Sequence, residues 1–222
     1  MTRHARGAGL TLALLLAGCS AIDPETAQLE RFKELGLAQR HEVIAGEDVH
    51  CAEYGEVCRQ LHLIKGDACF ALAQRGDAAT AHYECAIAEL TAGLDQEPAT
   101  ETALGPDPTF TEKLLEALRG RRDLSASSAE SLVYTLRLMQ EARAFKAAYP
   151  EEPAGYYFEA NALYGRVIEG IATGDGDTAI CGEIEAALEL LEAGKPASGR
   201  YVPSFERMAR DIQSTRRAEC EA

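Results

Sequence analysis

SSAESLVYTLRLMQEARAFKAAYPEEPAGYYFEANALYGRVIEGIATGDGDTAICGEIEAALELLEAGKP, residues 127–196, holds three successive helix-length apolar patterns with legible starts and stops. The first, Ser127 to Tyr149, opens on Ser127-Ser128-Ala129-Glu130, a capping box: the serine hydroxyl accepts from a backbone amide three residues on, and Glu130 reaches back. Leu132, Leu136 and Met139 form one apolar side and Leu138, Ala142 and Phe145 the next, so this helix is expected to need neighbours on two sides. Pro150 and Pro153 stop it, because proline lacks the amide proton and drives the preceding residue out of the α region. Pro153 is also suited to the first position of the next helix.

The second pattern runs through Tyr156, Ala160, Leu163, Val167 and Ile171 in steps of three and four. Gly174-Asp175-Gly176-Asp177 turns the chain, with Asp177 as N-cap, and the third pattern, Ile180, Ile184, Ala187, Leu188 and Leu191, ends at Gly194 and Pro196. Three antiparallel helices follow from this stretch alone.

Before that stretch, a first helix is expected over Ala27 to Arg40, weakened by Gly36. A long one runs from Glu53 or Val57 to Gln74 with Gly66 inside it, and a return helix covers Ala78 to Leu94. A glycine in a helix interior costs about 1 kcal/mol against alanine, so Gly66 marks close approach of a partner helix. Pro98 to Pro108 is the longest polar interruption. A short helix, Thr109 to Leu118, is then expected to end at Gly120, with Gly120 to Ser125 as linker, and a last helix spans Pro203 to Ala218. The fold class is all-α, about seven or eight helices in irregular hairpin repeats, as a solenoid or a bundle.

The chain has 222 residues, 46% of them hydrophobic, which suits one sizeable core. Its start carries Arg3, His4 and Arg6, then an apolar run from Leu10 to Leu16, far short of the roughly 20 residues a permanent membrane helix needs. Leu16-Ala17-Gly18-Cys19 follows. This resembles the lipobox of bacterial lipoproteins, which implies a signal peptide over 1–18, lipidation at Cys19, a tether over 19–25 and one helical-repeat domain over 26–222. Ser20 after the cysteine resembles outer-membrane sorting and implies a lipoprotein facing the periplasm, held to the membrane by its lipid. Removing Arg3 and Arg6 with the leader takes the net charge from −14 to −16, which argues against nucleic acid and against an electrostatic hold on anionic lipid. Arg119, Arg121 and Arg122 form the one basic cluster, expected as a solvated helix end.

Leu138, Ala142 and Phe145 before Pro150, and Tyr156, Ala160 and Leu163 after it, resemble the small, aromatic and large apolar positions of tetratricopeptide-type repeats. Pro98, Pro150 and Pro196 are 52 and 46 residues apart (150 − 98 and 196 − 150). The family period is about 34, so hairpins here are longer or carry insertions. The run Tyr149 to Tyr157, with Ala162-Leu163-Tyr164-Gly165-Arg166, Glu183 to Glu189 and the lipobox, resembles the tetratricopeptide-like lipoproteins that serve as T components of TRAP-type transporters, the TatT family. That resemblance implies a periplasmic lipoprotein that partners a substrate-binding protein and helps deliver an organic, even hydrophobic, ligand. Self-association is left open.

Six cysteines remain beyond Cys19, and in an exported chain they are expected as disulfides, with 15 pairings. Cys69 and Cys85 lie nearly equidistant from the Gly76 turn, so an antiparallel hairpin brings them level. Cys181 and Cys220 can tie the last helix to its neighbour. Cys51 and Cys58 then remain; continuous helix would hold them about 10 Å apart, so Cys51 must lie in a loop that folds back.

The rival chemistry is metal binding by His50, Cys51, Cys58 and His62, with His82 and Cys85 as a second pair. No CxxC, HExxH or haem signature accompanies them. Gly174 to Asp177 lacks the spaced carboxylates of a calcium loop. With no nucleophile elbow or phosphate loop, the expectation is a binding module without catalysis or cofactor, or a scaffold whose concave face recognises protein. Aromatics crowd the second half, and Tyr156, Tyr157, Tyr164 and Tyr201 are the expected groove for a ligand or partner.

Overall fold

A computed structural model describes residues 23–51, 55–76, 78–96, 108–174, 179–196 and 199–221. The leader over 1–18, Cys19 with the tether to residue 22, the interruption over 97–107 and the Asp175–Asp177 turn with its expected cap lie outside them. The described residues are all-helical where they are regular: α1 (Pro24–Leu37), α2 (His41–Ala45), α3 (Glu56–Arg75), α4 (Ala79–Leu94), α5 (Pro108–Asp123), α6 (Ser128–Ala148), α7 (Pro153–Thr173), α8 (Ala179–Ala193) and α9 (Val202–Glu219).

The local signals act as their chemistry requires. Ser127 Oγ accepts from the Glu130 amide at 3.3 Å, and Glu130 Oε2 accepts from the Ala126 amide at 2.8 Å, one residue further back than the reciprocal box would place it. Pro153 opens α7, and Gly174 closes it in the left-handed region at φ 73°. The single turn α2 has no counterpart among the expected helices, since five residues leave no apolar period to detect.

From α3 onward each helix packs on its predecessor, and α3, α5, α7 and α9 also touch in sequence. Helices α3, α5, α7 and α9 therefore form one layer and α4, α6 and α8 stand on the other side, a succession of helical hairpins. A main core runs through both layers. A smaller one, Leu29, Phe32, Ile44, Leu61 and Ala68, seals α1 and α2 onto the outer flank of α3.

The α3–α4 hairpin interlocks by reciprocal glycines. A Cβ on Gly66 would lie 2.7 Å from Leu90 Cγ, and one on Gly93 would lie 2.7 Å from Leu63 Cγ. Each helix thus offers a leucine and, three residues on, a gap for the other's leucine. The expected role of Gly66 is met.

Gly120 departs from its expected role. Helix α5 continues through it to Asp123, and the Tyr83 ring lies where a Cβ would stand. The glycine is there to admit a tyrosine rather than to stop a helix. Helix α6 also differs: Leu138, Met139, Ala142 and Phe145 are buried, whereas Leu132 is 43% and Leu136 50% exposed. The second neighbour expected along that side does not cover its first half.

Candidate functional site

Between the end of α5, the start of α6 and the middle of α7 lies an open groove of about 600 Å³, walled by Ser127, Ser128, Ser131, Asn161, Tyr164 and Ile168. Arg122, the last arginine of the basic cluster, lies on its rim, and the other two stand behind it. Arg121 is only 5% exposed; its guanidinium donates to Glu84 at 2.9 Å and to Glu130, and stacks 4.7 Å from the Tyr134 ring centre. Burial alone would lower its pKa, but bonds to the two carboxylates outweigh that and hold it charged.

Arg122 donates to the Asn161 carbonyl at 3.3 Å and to Asp123 at 2.7 Å, and packs over Gly165. Arg119 donates to the Tyr157 hydroxyl at 3.2 Å. The three arginines are thus inter-helix fasteners, not the solvated helix end expected from their run, because each finds a partner far away in sequence.

Within the groove, Asn161 Oδ1 is buried and accepts no hydrogen bond. An amide oxygen in that state carries an uncompensated desolvation cost of about 1–3 kcal/mol, which a ligand N–H or O–H would relieve once the side chain turns toward the groove. The serine hydroxyls of the α6 start add donors and acceptors beside it, and Ile168 supplies an apolar wall.

The four tyrosines are distributed over the fold rather than gathered. Tyr164 lines the groove, with its hydroxyl 2.9 Å from Thr215 Oγ1, which ties α7 to α9. Tyr156 packs against Gly194, where no side chain would fit, with the Lys146 ammonium 5.4 Å from its ring centre. Tyr157 and Tyr201 do come together, 5.6 Å between ring centres, in a cluster with Phe158 and Phe205.

That cluster is bounded by acids on the odd-helix layer. The Tyr201 hydroxyl donates to Glu112, and burial followed by this bond pushes the phenol far above its ordinary pKa. Burial likewise raises the Glu116 carboxyl, with Arg119 opposing it.

The six cysteines form three bridges with Cα–Cα distances of 5.6 Å for Cys51–Cys58 and 5.8 Å for both Cys69–Cys85 and Cys181–Cys220. Cys51 sits in the loop before α3, as the short spacing demands. Of the rival metal set, Cys51, Cys58 and His62 offer ligand atoms within 4.8 Å of one another. His50 stands outside that group, exposed, its backbone amide donating to Gln28 at 3.3 Å; Cys85 of the second pair is bonded to Cys69.

Behind His62, Glu89 accepts a hydrogen bond from Nδ1–H at 2.6 Å on one oxygen and from the Lys65 ammonium at 2.8 Å on the other. Gln96 Nε2 donates to Cys58 Sγ at 3.7 Å. Asn161, Glu89, Lys65 and Gln96 escaped the sequence reading. Each is an ordinary polar residue on a helix or at its end, and its role comes from a partner in space.

No protein-family model, curated protein or solved structure matches this chain. Among the described residues no helix is long and apolar enough to cross a membrane.

Proposed function

We propose that this chain is a non-catalytic binding module of the bacterial cell envelope, lipid-anchored through Cys19 at the periplasmic face of the outer membrane, that holds a small organic ligand or a partner protein's segment for a transport system. The groove between α5, α6 and α7 is its binding site, and the unpartnered Asn161 Oδ1 carries the reading: it supports a ligand bearing a donor group, seated between Ser131 and Tyr164. The Leu-Ala-Gly-Cys leader supports the anchor, and the three bridges support an oxidising compartment. The resemblance to T components of TRAP-type transporters supplies the transport association, with a substrate-binding protein as the expected partner.

The test is native mass spectrometry of the chain purified from the envelope, wild type beside Asn161→Leu. A bound organic mass or a crosslinked partner on the wild type, lost or weakened about tenfold in the variant, supports the groove. Equal occupancy in both proteins removes it. Labelling with a fatty acid, and its loss in Cys19→Ala, checks the anchor separately.

A further inference from the structure

We propose that Cys51, Cys58 and His62 form a zinc site that is closed while the Cys51–Cys58 bridge is intact and opens when the bridge is reduced. Cys58 and His62 lie four residues apart on α3 and project from one face, while the preceding loop brings Cys51 back to within a 5.6 Å Cα–Cα distance of Cys58. The two sulfurs and a ring nitrogen of His62 lie within 4.8 Å of one another. Tetrahedral zinc with ordinary Zn–S and Zn–N bonds needs its ligand atoms about 3.5–3.8 Å apart, so a shift of an ångström or so after the sulfurs separate suffices.

The surroundings favour the ion as well as the ligands do. Glu89 Oε2 accepts from His62 Nδ1 at 2.6 Å, which fixes the tautomer that leaves a lone pair on Nε2; this is the carboxylate–imidazole arrangement that orients metal-bound histidines. Lys65, on the other Glu89 oxygen, balances that carboxylate, so the two thiolates are left to balance a dication. Gln96 stands at the same sulfur. Its Nε2 donates to Cys58 Sγ, and its Oε1 is buried without a partner, an oxygen suited to a fourth zinc ligand or to a zinc-bound water. Among the described residues this is the one such three-ligand cluster; neither Cys69–Cys85 nor Cys181–Cys220 has it.

The opening step is thiol–disulfide exchange. A dithiol reductant gives two electrons and two protons, ends as its own disulfide, and leaves Cys51 and Cys58 as thiols. Zinc then binds their thiolates and the His62 imidazole, and the two thiol protons pass to water.

The test uses the full purified chain, oxidised or reduced by a water-soluble phosphine under anaerobic conditions, titrated with zinc against a chromophoric chelator and with cobalt as spectroscopic probe. Circular dichroism checks that each variant stays folded. Reduced wild type and reduced Cys69→Ala/Cys85→Ala should take up zinc and show the thiolate-to-cobalt and tetrahedral d–d bands. Cys51→Ser/Cys58→Ser should not, and His62→Ala should bind about tenfold or more weakly. The same zinc affinity in oxidised wild type, in reduced Cys51→Ser/Cys58→Ser or in reduced His62→Ala overturns the proposal. His62→Ala keeps both cysteines, so it tests the site even where the Cys51→Ser/Cys58→Ser protein does not fold.

Discussion

Adding one methyl group at Gly155 should separate α6 from α7. A Cβ there would lie 2.8 Å from Lys146 Cα and 2.9 Å from Lys146 N, backbone atoms in the last turn of α6 that no side-chain rotation can move away. Carbon atoms rest about 3.5–4.0 Å apart, so the helices must part by nearly an ångström. The strain would act one turn from the contacts of Glu159 with Arg143 and Lys146. Overpacking of this kind costs about 1–3 kcal/mol, and the better helix preference of alanine returns at most about 1 kcal/mol, less at the third residue of a helix.

Gly182, exposed on α8 with no atom within 4 Å of its Cβ position, is the control of opposite sign. Gly182→Ala should stabilise by up to about 1 kcal/mol. Urea unfolding followed by far-UV circular dichroism, with the slope checked for each protein, reads both, and each kcal/mol should move the melting temperature by about 2–4 °C. A Gly155→Ala protein as stable as wild type, with an unchanged slope, would refute the close approach of α6 and α7.

Glu159→Gln should destabilise. Burial alone would raise this carboxyl, but bonds from Arg143 and Lys146 outweigh it and hold its pKa below the usual range. Its contribution is therefore complete above the unfolded pKa of about 4.3 and fades as pH falls through the folded value, which pH-dependent urea titrations of the two proteins will show. Glu116→Gln should do the reverse: with the folded pKa raised by burial, the wild type loses stability as pH rises from the unfolded pKa of about 4.3 through the higher folded value, so the variant should be the more stable at neutral pH and the difference should vanish in acid. Arg121→Leu removes the buried cation that bridges Glu84 and Glu130; both carboxylates reach solvent and rehydrate, so the loss should be about 1 kcal/mol by thermal melting. Loss of the Cys181–Cys220 bridge, which closes 39 residues, should cost about 4 kcal/mol, and loss of Cys69–Cys85, which closes 16, about 3 kcal/mol, in the same assay.

The parts of the fold that were legible in sequence are those decided within a few residues. Ser127 and Glu130 cap a helix by bonds to adjacent amides, Pro153 starts one by its own ring, and Cys69 and Cys85 are matched by symmetry about one turn. Gly66 was legible because a glycine inside a strong helical pattern needs a reason. Gly120 carried the same residue type at the edge of a weaker pattern, and only Tyr83, 37 residues earlier (120 − 83), distinguishes a packing glycine from a terminal one. Leu132 and Leu136 look like core by period alone; their exposure is decided by where the neighbouring helices run. The candidate groove depends on Arg122 meeting Asn161 across two helices, and no local spacing encodes that meeting.

The Cys181–Cys220 bridge joins the first turn of α8 to the residue just past α9, so the terminal hairpin is a closed covalent ring. A chain held at one end and pulled at the other would extend only through its unbridged segments. The 39-residue span inside this ring, about 130 Å if drawn straight, would stay hidden from the load. Tension on the tail passes through sulfur into α8 and leaves α9 slack. Pulled in this way the chain would yield between its rings first, and its stretched length would report which bridges were intact.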